Sequence, residues 1–139
     1  MMTPEENAAR ILGQIRLVWA GILGGAFMMA GLMYALSLEG GMAMLPAHPL
    51  WWVAIAAPLL PALLLLRRLR ETEAEQARGN VPPQRLMTAY LLCWAVADAP
   101  VILGATLGMV TGNQGLIAAG LAVGVTLMLL ARPDEARRR

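Results

Sequence analysis

The sequence predicts an all-α fold, a polytopic membrane protein whose bundle of four transmembrane helices has both termini in the cytoplasm. Three observations lead to this prediction. The chain is 58% hydrophobic with a mean hydropathy of +0.60, whereas soluble domains are about 45–50% apolar. The excess is concentrated in four blocks that are almost free of charge. All eleven basic residues are arginines, and they lie at or beyond the ends of those blocks.

The four apolar blocks approach the length that a helix needs to cross a bilayer, roughly 17–25 residues. We expect spans at residues 17–38, 49–66, 86–110 and 115–131. These blocks are continuously apolar rather than alternating, so they do not suit the strands of a transmembrane barrel. The first block also exceeds the apolar core of a signal peptide, about 7–15 residues, and is expected to be a span. Four spans in 139 residues predict a single membrane domain.

The arginines predict the orientation of the spans. They lie in the N-terminal tail, in the connector 67–85 and in the C-terminal tail, whereas the other two loops contain none. Loops rich in arginine stay in the cytoplasm, so we expect both tails and the connector on the cytoplasmic side of the inner membrane. The connector is then either a solvated link or a docking site for a soluble partner or anionic lipid headgroups. A nucleic-acid surface is not expected, because these arginines flank membrane spans.

Local signals refine the individual helices. Thr3, Pro4 and Glu6 have the spacing of a capping box with proline at the first helical position, so the first helix should begin near Pro4. Pro58 and Pro61 each remove a backbone donor from the second span, which predicts a kink there. Residues 111–115 read as a tight turn, so the third and fourth spans should form an antiparallel hairpin.

Glycines recur four residues apart in three of the spans, a spacing that lets helices approach closely. The pairs are Gly21 and Gly25, Gly104 and Gly108, and Gly120 and Gly124. We expect the last two pairs to close the hairpin, and all three to favour packing against other helices.

Asp98 is the only acid within a predicted span, midway along residues 86–110. A carboxylate at that depth costs roughly 2.5–3.5 kcal/mol on insertion scales. The nearest arginine on the same helix, Arg85, is about 20 Å away at the helical rise. Three arrangements remain open: a protonated carboxyl that hydrogen-bonds a neighbouring helix, contact with water or a bound cation, or a cation from another subunit. Pro100 frees the carbonyl of Val96 and so adds polar backbone near the acid.

The segment 95–104 reads Ala-Val-Ala-Asp-Ala-Pro-Val-Ile-Leu-Gly. It resembles the carboxylate-bearing helix of rotary ATP synthase proteolipids, the c-ring subunits, and the resemblance implies that Asp98 is an ion carrier. The rest of the chain departs from that family, because no glycine-repeat helix precedes the acid helix and the hairpin turn lacks the Arg-Gln-Pro loop. A c-ring subunit is therefore not predicted. The chain as a whole is similar to small four-span bacterial inner-membrane proteins.

His48, the only histidine, lies toward the outer side of the predicted bundle with three methionines, Met33, Met42 and Met44. Thioethers are soft ligands that suit copper(I). Methionine is also an ordinary apolar filler, so we expect no metal site and no cofactor.

The sequence contains no Ser/His/Asp set, phosphate-binding loop or zinc-ligand spacing, and an enzyme is therefore not predicted. We expect a non-catalytic integral membrane subunit or accessory protein that packs against partner membrane helices or against copies of itself. The alternative is a proton- or cation-handling membrane protein that uses Asp98.

Overall fold

The computed structural model describes residues 1, 3–40 and 43–133. Helices make up 82% of these residues and no strand occurs among them, which confirms the all-α prediction. The helices are α1 Pro4–Leu38, α2 Leu50–Ala56, α3 Leu59–Ala77, α4 Pro83–Thr111 and α5 Gln114–Leu130.

Three helical segments are long and apolar enough to cross a bilayer, with mean hydropathies of 1.7–1.8 over their most apolar windows. They are α1, the joined α2–α3 segment and α4. The fourth, α5, is apolar but only 17 residues long, which corresponds to about 25 Å at the helical rise. The predicted apolar helices are thus all present, and three of them have the full length of a membrane span.

The start of α1 follows from its first residues. The Thr3 backbone N–H donates to Oε2 of Glu6 at 2.8 Å, and the Glu6 N–H donates to Oγ1 of Thr3 at 3.3 Å. These two bonds satisfy donors that a helix start leaves without partners. The helix therefore begins at Pro4, as predicted, and continues without a break to Leu38.

The second apolar segment is interrupted at Pro58. Helix α2 ends at Ala56 and α3 begins at Leu59, although Ala57 and Pro58 keep right-handed helical backbone angles. The missing proline donor interrupts the hydrogen-bond ladder at this point. Pro61 lies in the first turn of α3, where a backbone donor has no intrahelical acceptor in any case. Pro58 thus produces the interruption, and Pro61 is accommodated just after it.

Helix α4 lies at the centre and packs against α1, α3 and α5. Its N-terminal half contributes Leu86, Tyr90 and Trp94 to one apolar cluster, with Ile15 of α1 and Leu69 of α3. Its C-terminal half belongs to a second cluster, built with small residues of α1 and with α5. Because all four other helices contact it, α4 contains the largest set of buried residues in the described chain.

Helices α4 and α5 touch through their backbones, and all four glycines predicted to close this hairpin lie at the interface. A Cβ on Gly120 would lie 2.3 Å from the carbonyl oxygen of Pro100 and 2.8 Å from Cα of Gly104. A Cβ on Gly108 or on Gly124 would lie 2.3 Å from the side chain of Ile117 or of Val101, respectively. Only glycine permits this separation. Gly112, with φ of +67°, ends α4 in the left-handed conformation and starts the turn.

Candidate functional site

Asp98 lies nearer one end of the α4–α5 hairpin than the sequence suggested. One turn before it on α4, the indole N–H of Trp94 donates to the carbonyl oxygen of Ala131 at 3.2 Å, and Ala131 is the C-cap of α5. Four residues of helix rise about 6 Å, so Asp98 is only about 6 Å beyond the level at which α5 ends. The difference arises because the first turns of α4 extend past the end of α5.

The Asp98 side chain is half-buried, at the edge of the packed face of α4. Ala97 and Val101 beside it are buried, whereas Ala95 and Ile102 are exposed. Within the described part of the chain, the carboxyl has no hydrogen bond or ion pair. The described residues thus leave the carboxyl without a partner at the edge of this face.

Pro100 is not part of the Asp98 surroundings. Two residues along a helix correspond to a rotation of about 200°, so the two side chains leave α4 on nearly opposite sides. Pro100 is fully buried, and its carbonyl faces Gly120 of α5. The Val96 carbonyl that Pro100 leaves without a donor lies on that same packed side, since residues four apart share a face. The structure thus separates two residues that the sequence suggested would act together.

A buried polar cluster links α3, α4 and α5, and its residues are not among those predicted as sites from the sequence. Its centre is Glu73, which is only 9% exposed. The Tyr90 hydroxyl donates to Oε1 of Glu73, and the Arg70 guanidinium donates to Oε2 at 3.1 Å. The second Arg70 nitrogen, Nη2, donates to the carbonyl oxygen of Leu130 at 2.5 Å. The cluster thus ties the end of α5 to α3 and α4.

Two tryptophans complete the capping of α5. The indole N–H of Trp19, on α1, donates to the carbonyl oxygen of Met128 at 3.0 Å, and Trp94 of α4 binds Ala131 as described above. The guanidinium of Arg132 lies over the Trp19 ring, 5.8 Å from its centroid. The last carbonyls of a helix lack intrahelical donors and carry partial negative charge. Three other helices supply those donors through Trp19, Arg70 and Trp94.

The Arg70–Glu73 spacing of three residues is a signal that could have suggested this pair, because side chains at i and i+3 are neighbours on a helix. The contact with Tyr90 could not have been found in the same way. It joins two different helices, 17 residues apart in the sequence.

Three of the four residues considered as metal ligands lie within the described part of the chain. Nδ1 of His48 accepts a hydrogen bond from the Leu50 backbone N–H at 3.1 Å, so this imidazole is engaged at the start of α2. Met44 is exposed, Met33 is half-buried in α1, and Met42 lies outside the described residues. Among the residues that the structure describes, no group of three or more His, Cys, Asp or Glu side chains could hold a metal ion.

One face of α1 is apolar and uncovered. Leu17 and Met28 are 75% and 78% exposed, and a Cβ added at Gly21, Gly24 or Gly31 would meet nothing within 4 Å. The same holds for Gly25, the partner of Gly21 in the predicted pair. A side chain at any of these four positions would thus enter open space, unlike one at the paired glycines of α4 and α5.

The fold and these sites define a class: a helical protein with three segments long and apolar enough to span a membrane, and with α4 at the centre. No family model matches the chain, and no curated protein or solved structure shows significant similarity to it.

Proposed function

We propose that the chain is a multi-pass protein of the inner membrane, with four spans and with both termini and the 67–85 connector in the cytoplasm. The three long apolar helices support membrane insertion. The arginine distribution supports the orientation, since the loops without arginine lie at the opposite ends of the helices. Helix α5 meets the lower limit for a span, about 17 residues. Its donated C-terminal hydrogen bonds reduce the cost of ending it close to lipid.

Within that membrane the chain acts as a non-catalytic subunit or accessory protein that packs against partner membrane helices, from another subunit or from a second copy. The uncovered face of α1 is the observation that supports this function. Leu17, Gly21, Gly24, Met28 and Gly31 follow one another at spacings of four and three residues. That alternation keeps residues on one seam of a helix, as in the a and d positions of a coiled coil.

Small residues have a particular meaning on such a seam. Lipid tails are as apolar as leucine, so membrane helices associate through close van der Waals contact rather than through a hydrophobic driving force. Glycines permit that contact because they let two backbones approach. In this chain the paired glycines of α4 and α5 are already in contact with the backbone or side chains of the opposite helix. The glycines of α1 remain available to a helix from another chain.

Substitution of Gly24 tests this function without disturbing the chain itself. The Gly24→Leu variant introduces its side chain into open space, and leucine favours the helix by about 1 kcal/mol over glycine. The monomer should therefore fold normally, whereas a partner helix should be excluded. The matched control is Ala118→Leu on the exposed side of α5.

The measurement is the size and composition of the complex after extraction in a mild detergent. We expect the wild type and Ala118→Leu to elute with a partner or as an oligomer. The dissociation constant of Gly24→Leu should be at least about tenfold higher, because overpacking at an interface costs more than about 1 kcal/mol. An intact complex in the Gly24→Leu variant, or a wild-type chain that elutes alone, would contradict the proposal.

A second function, proton or cation handling, is favoured by one specific observation: the half-buried Asp98 has no partner among the described residues. Such an acid inside a span marks an ion or proton site by default. The Asp98→Asn variant should abolish proton or cation flux in liposomes while the helicity stays unchanged. Glu39→Gln serves as the control, because it neutralises an exposed acid at the end of α1 and leaves both Asp98 and the Glu73 cluster in place. Absence of flux in the wild type would contradict proton or cation handling and leave the accessory function as the proposal.

A further inference from the structure

We propose that the groove between α3 and α4 at the cytoplasmic end binds an anionic phospholipid of the surrounding bilayer. The inference depends on the membrane location proposed above. The groove has a volume of about 320 Å³ and is open on the side that faces away from the helices. Each helix contributes three residues that define the character of the groove: Leu65, Arg68 and Thr72 from α3, and Arg85, Thr88 and Leu92 from α4.

The lining changes from apolar to polar along the helix axes. On α3 the three residues follow at i, i+3 and i+7, and on α4 the spacing is the same, so each set shares one face. The helices are consecutive and joined by a short turn, so they run antiparallel. Leu65 and Leu92 therefore lie together at the membrane end, and Thr72 and Arg85 lie together at the cytoplasmic end. A phospholipid in the cytoplasmic leaflet has the same order, with its acyl chains toward the membrane end and its headgroup toward the cytoplasmic end.

The charges in the connector are divided so that three of its five arginines remain outside the ion pairs, and two of these three line the groove. Arg67 pairs with Glu71 at 3.4 Å, and Arg70 is held by Glu73 and Leu130. These pairs engage two of the three glutamates of the connector. The guanidinium groups of Arg68 and Arg85 make no hydrogen bond or ion pair with the described residues.

Among the described residues that line the groove, Glu75 is the one acid, so Arg68, Arg85 and Glu75 together give the groove a formal charge of +1. A guanidinium presents paired N–H donors that match the oxygens of a phosphate. The local charge thus suits the single negative charge of a phosphodiester headgroup. A basic pocket between helices on the cytoplasmic side is the type of site that such headgroups occupy.

The apolar end of the groove favours a lipid over a soluble acidic peptide. Leu92 is 52% exposed, and Leu65 is half-buried beside it. A peptide bound from the cytoplasm would contact Arg68 and Arg85 but would leave these leucines to the bilayer. A phospholipid contacts both ends of the groove with a single molecule.

The test is native mass spectrometry of the full chain from bilayers that contain equal phosphatidylglycerol and phosphatidylcholine. The wild type should retain phosphatidylglycerol selectively. The variant Arg68→Gln/Arg85→Gln should bind it about 30-fold more weakly, since each arginine near an anionic headgroup contributes roughly one factor of five. The control Arg67→Gln/Arg78→Gln removes the same charge from the connector outside the groove and should bind like the wild type.

Three outcomes would overturn the inference: equal retention of both lipids by the wild type, an equal loss in both double variants, or no loss in Arg68→Gln/Arg85→Gln. Far-UV circular dichroism confirms that each variant has kept its helices. Extraction of the membranes with alkaline carbonate distinguishes the two proposals. A chain that resists extraction but shows no lipid selectivity contradicts only the groove, whereas a chain released into the supernatant contradicts the membrane location as well.

Discussion

The glycine contact between α4 and α5 provides the most direct test of the structure, through Gly120→Ala. The added methyl carbon would lie 2.3 Å from the carbonyl oxygen of Pro100, whereas ordinary contact begins near 3.4 Å. The obstructing atoms, the carbonyl oxygen of Pro100 and Cα of Gly104, belong to the backbone and cannot rotate away. The helices must therefore separate by about 1.1 Å, the difference between the two distances. A gap of that size forfeits roughly a quarter to a half of each dispersion contact across the interface. We expect a loss of about 2–3 kcal/mol in the free energy of unfolding.

The matched variant is Gly24→Ala, which makes the same chemical change in a position where nothing lies within 4 Å. Alanine favours a helix over glycine by about 1 kcal/mol in both variants, so any difference between them measures the interface. The assay is reversible unfolding in mixed detergent micelles, followed by circular dichroism. Equal stability of Gly120→Ala and Gly24→Ala would refute the backbone contact between α4 and α5.

Further predictions concern the polar cluster and the topology. Tyr90→Phe should lower the free energy of unfolding by about 1–3 kcal/mol, because it removes a donor from the buried Glu73 carboxylate; a change below 0.5 kcal/mol would contradict a bond of this kind. Arg70→Gln should weaken the attachment of the end of α5 and speed amide exchange at Leu130, with little effect in the outer half of α4. Single cysteines at Ala47 and Ala77 should react with an impermeant label from opposite sides of the membrane, and labelling from one side would contradict the proposed topology.

Much of the fold could be predicted from sequence because the signals are local. The capping box at Thr3, the interruption at Pro58 and the turn at Gly112 each depend on residues within a few positions of one another. The hairpin glycines were also predictable, since a short turn brings α4 and α5 together in a single register. The uncovered glycines of α1 show the limit of such reasoning. Gly21 and Gly25 have the same spacing as Gly120 and Gly124, and only the packing distinguishes them.

The candidate sites were less predictable, because they depend on where helices end relative to one another. The depth of Asp98 was estimated from its own apolar block, but α4 extends past the end of α5, and the acid is nearer that end. Pro100 appeared to be a companion of Asp98 because it is close in sequence, yet a rotation of about 200° separates them. Glu73 was hidden for the opposite reason. Its partner Tyr90 is distant in sequence and lies on another helix.

The described chain has a closed part, whose residues pack on one another, and an open part, whose residues face outward. This division indicates which surfaces carry the proposed functions. In the closed part, α4 and α5 fill each other's glycine gaps, and Trp19, Arg70 and Trp94 satisfy the last carbonyls of α5. A short helix that is held at its side and at its end has little freedom to move. In the open part, the α1 seam and the α3–α4 groove present small residues and charged donors without partners in the described chain. Exposed apolar surface rimmed by polar groups is characteristic of interaction sites. The open part is therefore where partner helices and lipids should attach, and the closed part is the rigid support that keeps those two surfaces in place.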